Sequence, residues 1–395
     1  MPDLPFPITG ADKSDRSYGV QQLIRLGYEV VILCKNHPWV TNDIKREAEK
    51  FLGADIHTVS YKYNDNKDFW LSLKKITKKI VNPLYIDGAA MEYSDPEIKA
   101  KLDLLIKEYR PDCVWFEYTY LWPLYGVVKK YKLPIIVRSL NFEPKHFLDE
   151  NGRSPVNYFK YLFKLLSEVI TVRNSRIIFS INPNEEKIYR RLGAKNVFNL
   201  PLRGLFLSLG KNLDNDHNRE VNQVYFLGST YLVSHNYRAL EFLVKEVIPL
   251  INEHYPNKFH FSIFGSKIPE KLKQYCVGNI VYRGFVEDLD AAMREQDIAI
   301  IPSLAGAGMQ QKIFESLARG IITITFPRGL AGYDFADGQD YLAGNTAEMV
   351  VNKINFILEH PETAAAITRS AAAKSLKLFS QEAIDGIVSS AINQL

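Results

Sequence analysis

Apolar runs long enough for β-strands alternate with helix-length segments along this chain, and the alternation occurs twice. The first series comprises residues 29–34, 55–61, 112–118, 134–140 and 176–182. After the polar segment 207–223, a second series comprises residues 224–228, 259–265, 279–284, 297–303 and 321–326. Strands joined by helical crossovers pair in parallel, and parallel sheets need helices on both faces. The pattern therefore predicts an α/β chain with two Rossmann-like domains, in which ligands bind at the carboxyl ends of the strands.

The segment 300–320, IIPSLAGAGMQQKIFESLARG, contains the strongest indication of a ligand. It predicts a strand, a small-residue loop, and a helix that starts near Met309 and ends at Gly320. Such a loop directs free N–H groups and the positive end of the helix dipole at one point, where an anion can bind. Lys312 on the first helical turn suits a diphosphate, and Glu315 on the same face suits the hydroxyls of a ribose. The alternative is a tight turn followed by a solvated Lys–Glu pair.

The run 302–335, PSLAGAGMQQKIFESLARGIITITFPRGLAGYDF, resembles the donor-site signature of the retaining glycosyltransferase family four. Residues 224–251, VYFLGSTYLVSHNYRALEFLVKEVIPLI, are similar to the first strand, glycine turn and helix of that family's C-terminal domain. The resemblance extends from about residue 224 to 360. In residues 1–200 it rests on the short segments PFPITGADKS, GYEVVIL, IIVRSLNFE and RIIFSINPNEE.

This resemblance implies the GT-B fold, in which two Rossmann-like domains with parallel sheets face a cleft. Residues 1–200 would bind the acceptor and residues 201–378 the nucleotide sugar. Residues 379–395 would form a C-terminal helix that packs back toward the N-terminal domain. The implied activity is transfer of a sugar, with retention, from a nucleotide sugar to a glycan or lipid-linked acceptor. Apart from this co-substrate, no cofactor is expected.

The resemblance also implies the residues of the site. The expected catalytic residues are Lys312 and Glu143, the latter orienting the acceptor or acting as its base. The expected donor-binding residues are Gly228, Ser229, Gly265, Phe285, Ala307, Gly308, Met309, Lys312 and Glu315. The expected acceptor-side loop residues are Gly10, Glu117, Asn141 and Glu143. Arg328, which follows a strand, is a further candidate for contact with the diphosphate.

The sequence departs from the family pattern at several positions. Ala307 stands where the family often has the first of two glutamates, and Ser229 lies in a region that commonly holds an arginine. Leu140 replaces a frequent histidine. Two other functions therefore stay open: a sugar-nucleotide epimerase of the same fold, and a non-catalytic relative that binds a nucleotide or glycan. No Asp-x-Asp motif that would hold a metal is evident in either half of the chain, so Lys312 and the helix end are expected to stabilise the leaving diphosphate without a metal.

Charge and composition constrain the partners. The chain carries a net charge of +4, but residues 1–200 carry +7, with 31 lysines and arginines against 24 aspartates and glutamates. Four of these lysines, Lys74, Lys75, Lys78 and Lys79, lie among apolar residues in the segment 69–86. This segment predicts a basic amphipathic helix, either bound to an anionic membrane or packed with its apolar side in the core. The modest net charge and the lack of a recognised binding module argue against nucleic acid.

The remaining features favour a cytoplasmic protein, peripheral at the inner face of the membrane if the basic helix binds lipid. The three cysteines are far apart, which fits a reducing compartment. No apolar run approaches the ~18 residues of a membrane span. In the related family a loop like residues 2–14 follows a buried strand, whereas here it begins at Met1. Either a strand is missing from the start of the sequence or another segment takes its place.

Overall fold

The computed structural model describes residues 1–60, 69–213 and 220–395, apart from the side chains of residues 69–71. These residues divide into two compact units. Unit 1 comprises Met1–Gly204 and Ile384–Leu395, and unit 2 comprises Leu205–Ala383. The acceptor and donor roles expected of the two domains stay predictions.

Unit 1 contains parallel strands covered by helices. Its strands are β1 (Val31–Asn36), β2 (Asp55–Ser60), β3 (Val114–Glu117), β4 (Ile135–Arg138), β5 (Ile177–Ser180) and β6 (Val197–Asn199). Its helices are α1 (Ala11–Arg25), α2 (Asn42–Leu52), α3 (Phe69–Val81), α4 (Gly88–Glu92), α5 (Pro96–Tyr109), α6 (Tyr125–Lys130), α7 (Glu143–Asn151), α8 (Pro155–Asn174) and α9 (Pro183–Arg191).

The strands of unit 1 form two parallel sheets rather than one continuous sheet. Strand β1 pairs with β2, and the other sheet has the order β3-β4-β5-β6. Among the described residues, no strand joins β1 to β3. The amino-terminal residues lie along β1 instead. The amino group of Met1 donates to the carbonyl of Leu33 at 2.8 Å, and the backbone N–H of Lys35 donates to the carbonyl of Pro2 at 3.3 Å.

Unit 2 is built on a parallel sheet with the order β12-β11-β10-β7-β8-β9. The strands are β7 (Gln223–Thr230), β8 (His260–Ser266), β9 (Ile280–Gly284), β10 (Ile298–Ile301), β11 (Ile322–Thr325) and β12 (Leu342–Ala343). The helices are α10 (Ser234–Phe242), α11 (Ile248–His254), α12 (Glu270–Lys273), α13 (Leu289–Arg294), α14 (Gln311–Arg319), α15 (Ala347–Glu359) and α16 (Pro361–Phe379). A last helix, α17 (Gln381–Ile392), begins in unit 2 and ends in unit 1.

The strand order of unit 2 fixes where its ligand site lies. From β7 the chain runs outward through β8 to β9, and it then returns to β10 on the other side of β7. The carboxyl ends of β7 and β10 are therefore the switch point of the sheet, where open α/β sheets bind ligands. Every residue of β10 and β11 is buried, because helices cover both faces of a parallel sheet. The predicted fold class, α/β with parallel sheets in two Rossmann-like bodies, is confirmed.

Candidate donor site and acceptor-side residues

The loop between β10 and α14 has the geometry that its glycines predict. Gly306 and Gly308 have φ angles of 101° and 74°, a left-handed conformation that glycine adopts without steric cost. The helix begins at Gln311, two residues later than the sequence suggests, and Gly320 ends it in the left-handed conformation. Its first turn stands at the switch point of the sheet.

Two side chains hold the carbonyl groups of this loop. Arg328 donates from Nη1 to the carbonyl of Ser303 and from Nη2 to that of Gly306, each at 3.0 Å. Gln310 donates from Nε2 to Oγ of Ser303 at 2.6 Å and to the carbonyl of Ala305 at 3.2 Å. Arg328, a candidate for the diphosphate, therefore contacts the loop that would hold it.

Lys312 lies on the first turn of α14. Its Nζ donates to Oδ1 of Asn236 at 2.7 Å and lies 4.7 Å from the centre of the Phe226 ring. Burial lowers the pKa of Lys312 to about 7, because a low-dielectric environment disfavours the charged amine. A bound anion would favour the charged form again, so this ammonium is suited to a phosphate.

Asn236 lies near Ser229 in the sequence, but sequence reasoning gave it no role at this site. It is buried on α10, and its Nδ2 donates to the carbonyl of Thr230 at 3.0 Å and to Oγ of Ser229 at 3.2 Å. These bonds fix the amide so that Oδ1 faces Lys312. The only indication in the sequence is an asparagine early in the helix that follows the glycine turn.

Glu315 follows Lys312 on the same helix. Its Oε1 accepts a hydrogen bond from Nε2 of Gln311 at 2.7 Å. Burial raises the pKa of Glu315, whereas the bond from Gln311 lowers it. The predicted ribose contact stays a prediction, and the structure places the carboxyl group in the same unit and on the same helix as Lys312.

Two of the predicted donor-site glycines are also required for packing. A Cβ atom on Gly228 would lie 2.9 Å from the Tyr231 ring, and one on Gly265 would lie 2.3 Å from the carbonyl oxygen of Gly228. Tyr231 closes this corner by donating to the carbonyl of Phe264 at 2.6 Å. A larger side chain at Gly228 would displace the Tyr231 ring, and one at Gly265 would clash with the backbone of β7.

The other predicted donor-side residues differ in exposure. Phe285 directly follows β9 and is 60% exposed, so its ring is open to a ligand. Ala307 and Gly308 are half-buried within the loop, whereas Met309 is buried and contributes to the core. Met309 can therefore meet a ligand only through its backbone.

The acceptor-side residues lie in unit 1. Gly10 precedes α1 and serves as its N-cap. Asn141 accepts a hydrogen bond at its carbonyl from Oγ of Ser139 at 2.9 Å. Glu143 is the first residue of α7, not a loop residue as predicted, because Pro144 favours the first turn of a helix. Burial raises the pKa of the Glu143 carboxyl group, while Lys164 lowers it.

Glu117 takes part in a buried ionic cluster. Both of its carboxylate oxygens accept from Nη2 of Arg203, at 2.9 and 3.1 Å. Arg203 and Arg138 also pair with Asp15, at 2.8 and 3.2 Å. Burial opposes ionisation of Asp15, but the two arginines lower its pKa to about 2. The cluster links α1, β3 and β4, which gives Glu117 a structural role in this unit.

A second buried cluster is centred on Glu168, which contacts the backbone of Glu143. Oε1 of Glu168 accepts from Oγ1 of Thr119 at 2.9 Å and from the backbone N–H of Glu143 at 3.2 Å. Its Oε2 accepts from the hydroxyl of Tyr189 at 3.0 Å. Burial, together with the Glu143 carboxylate, raises the pKa of Glu168 to about 8. Nothing in the sequence distinguished this glutamate from a surface residue of an amphipathic helix.

Within residues 1–60, 69–213 and 220–395, no group of three or more His, Cys, Asp or Glu side chains is arranged to hold a metal. Two Asp-x-Asp sequences do occur, at 214–216 and 288–290. The first lies outside the described residues. In the second, Asp288 caps α13 and Asp290 pairs with Arg319 at 2.6 Å.

The fold places this chain among proteins with the GT-B architecture. HepE from Anabaena, in complex with UDP-glucose, is similar over 98% of this chain and 96% of its own, with 13% identity and a TM-score of 0.65. Sucrose-phosphate synthase from Thermosynechococcus elongatus is similar over 96% and 92%, with 14% identity and a TM-score of 0.64. A TarM mutant from S. aureus, in complex with fondaparinux, α-GlcNAc-glycerol and UDP, is similar over 100% and 98%, with 10% identity and a TM-score of 0.65.

A family comparison matches most of the second unit. Residues 222–360 match the family described as glycosyl transferases group 1, and this segment lies wholly within unit 2. No individually curated protein matches the chain in sequence. The group 1 domain and the GT-B fold together support a glycosyltransferase.

Proposed function

We propose that this protein is a retaining glycosyltransferase of family four that transfers a sugar from a nucleotide sugar to a glycan or lipid-linked acceptor. The donor class is supported by the group 1 domain and by the similarity to HepE, whose structures contain UDP and UDP-glucose. The acceptor class is supported by the similarity to TarM, whose structure contains α-GlcNAc-glycerol. We further propose that the protein acts in the cytoplasm.

The observation that carries this proposal is the position of Lys312. Its ammonium donates to Asn236, next to the loop between β10 and α14. Carbonyl groups of this loop accept hydrogen bonds from Arg328 and Gln310. These bonds hold the loop in place, and we propose that its N–H groups and the N-terminal end of α14 receive the diphosphate.

The chemistry follows from where charge develops. When the bond between the anomeric carbon and the diphosphate breaks, negative charge develops on a phosphate oxygen. Fixed donors at this position stabilise the transition state, and removal of one typically costs about 3 kcal/mol. Lys312 and the loop N–H groups supply these donors, so we propose that the reaction needs no metal. Glu315 would accept hydrogen bonds from the ribose.

The acceptor is proposed to bind unit 1. A new bond forms between the acceptor oxygen and the anomeric carbon, and the acceptor loses its hydroxyl proton. Glu143 would orient that hydroxyl or accept its proton. Burial raises the pKa of the Glu143 carboxyl group, which favours uptake of that proton.

A panel of nucleotide sugars tests the proposal. We expect one nucleotide sugar to raise the melting temperature and to be hydrolysed slowly in the absence of acceptor, and both effects to be lost in Lys312→Ala. Lys377→Ala is the matched control, because Lys377 is an exposed lysine of the same unit. Interconversion of sugar epimers would indicate the epimerase, whereas binding without turnover would indicate the non-catalytic relative.

A further inference from the structure

Helix α3 exposes its apolar side. Leu73, Ile76 and Ile80 are spaced by three and four residues, so they share one face of the helix, and they are 44%, 54% and 75% exposed. The opposite face contains Lys78, whose Nζ donates to Oγ of Ser94 at 2.9 Å. In an ordinary surface helix the apolar side packs against the core, whereas here it is left exposed.

The first half of helix α8 has a similar surface. Val156, Phe159, Leu162 and Leu166 lie along one side of the helix and are between 44% and 62% exposed. Both α3 and α8 pack on the short helix Pro83–Ile86, so the two surfaces belong to the same region of unit 1. We call these two exposed sides together the apolar surface.

Lysines flank both parts of the apolar surface. Lys74 and Lys79 are exposed on the two flanks of the α3 side, and Lys160 flanks the α8 side. The segments 69–86 and 153–166 contain no aspartate or glutamate. Large exposed apolar surfaces usually mark a binding site, and lysines beside such a surface favour an anionic partner.

We propose that the apolar surface docks on an anionic membrane, with the side chains of α3 and α8 in the headgroup region and the flanking lysines on lipid phosphates. A second copy of the chain fits less well, because a symmetric contact would bring the lysines of one copy against those of the other. None of the described helices is long and apolar enough to cross a membrane. This proposal rests on the proposed function at one point: membrane docking would bring the protein to a lipid-linked acceptor.

Flotation with lipid vesicles tests this inference. We expect the full chain to float with vesicles containing about one-third phosphatidylglycerol at low salt, and to float much less with pure phosphatidylcholine. A lysine near an anionic surface changes partitioning about fivefold, so Lys74→Gln with Lys79→Gln should lower binding roughly tenfold or more. Phe159→Ser with Leu162→Ser should lower it by a similar factor, and so should Ile76→Ser with Ile80→Ser.

The control is Leu376→Ser, since Leu376 is an equally exposed leucine in unit 2. All variants change exposed residues, and thermal unfolding would verify that they fold. Equal binding to both kinds of vesicle, or anionic binding that none of the paired variants lowers, would overturn the proposal. So would a dimer in solution that the paired variants dissociate. Hydrolysis of the nucleotide sugar without vesicles tests the proposed function separately.

Discussion

Asn236 accepts a hydrogen bond from the ammonium of Lys312 while its own amide nitrogen donates to the carbonyl of Thr230. The two residues are 76 positions apart in the chain, and they meet because β7 and β10 are neighbours in the sheet. The pair joins the first helix of unit 2 to the helix of the candidate donor site. A lysine that would otherwise be flexible is thus positioned before any ligand binds.

The role of this pair can be tested by substitution. We expect Lys312→Ala to lower turnover by roughly 10²-fold or more, because it removes a hydrogen bond and a charge interaction that are stronger in the transition state than in the ground state. Asn236→Ala should lower kcat less, since the lysine remains but loses its fixed position. Glu315→Ala should mainly weaken nucleotide binding. Steady-state kinetics would check all three, and wild-type turnover in Lys312→Ala would contradict the assignment of the site.

The lowered pKa of Lys312 predicts how donor binding depends on pH. Only the charged amine attracts a diphosphate, and in the free protein this form is lost as the pH rises above about 7. We therefore expect donor affinity to fall by up to about tenfold per pH unit between pH 7 and 9, with proton uptake on binding at pH 7 to 8. Calorimetry in two buffers of different ionisation enthalpy measures this uptake.

Lys312→Arg is the control for this pH dependence, because an arginine stays charged across the range. Its donor affinity, whatever its magnitude, should vary little from pH 7 to 9. An equally steep decrease in that variant would assign the titration to another group.

Metal independence is a separate prediction. It rests on the ammonium and the helix end at the loop, which can stabilise a leaving diphosphate without a cation. We expect transferase or hydrolase activity to survive excess EDTA with at most a small change in rate. Complete loss with EDTA, restored by magnesium or manganese, would show that a metal takes part at the diphosphate.

The buried carboxyl group of Glu168 predicts a pH effect on stability. Its pKa is raised to about 8, so between about pH 4.5 and 8 the folded protein binds a proton that the unfolded chain releases. This contribution to stability is complete at low pH and is lost as the pH rises through 8. Glu168→Gln mimics the protonated form and keeps its hydrogen-bonding partners. Urea unfolding should therefore show that the variant loses less stability than wild type from pH 6 to 9.

Urea unfolding of Glu186→Gln provides the comparison, because Glu186 is a surface residue on α9 that pairs with Arg190. Its stability should follow the wild-type pH dependence. If the stability of Glu168→Gln also follows the wild-type pH dependence, the carboxyl group of Glu168 in the wild-type protein is already ionised at neutral pH, which contradicts the prediction.

The sequence by itself determined the order of strands and helices. The run 298–301 reads as a buried strand because four apolar residues in succession suit a parallel sheet covered on both faces, and the glycines after it require a loop. Lys312 could be placed on the first turn of a helix because helical geometry depends on local spacing. The same local information predicted a basic amphipathic helix over residues 69–86, whereas in the structure this helix ends at Val81.

Only the tertiary structure decided which side chains meet and which face of each helix is covered. Asn236 and Lys312, Arg328 and the loop carbonyls, and Glu117 and Arg203 are each brought together by strand order, which a one-dimensional pattern does not contain. The apolar side of α3 is exposed although its spacing is that of a packed helix, because the face of a helix that packs depends on the rest of the fold. The pKa values of Lys312 and Glu168 differ from their usual values for the same reason, since burial and neighbouring groups are properties of the folded chain.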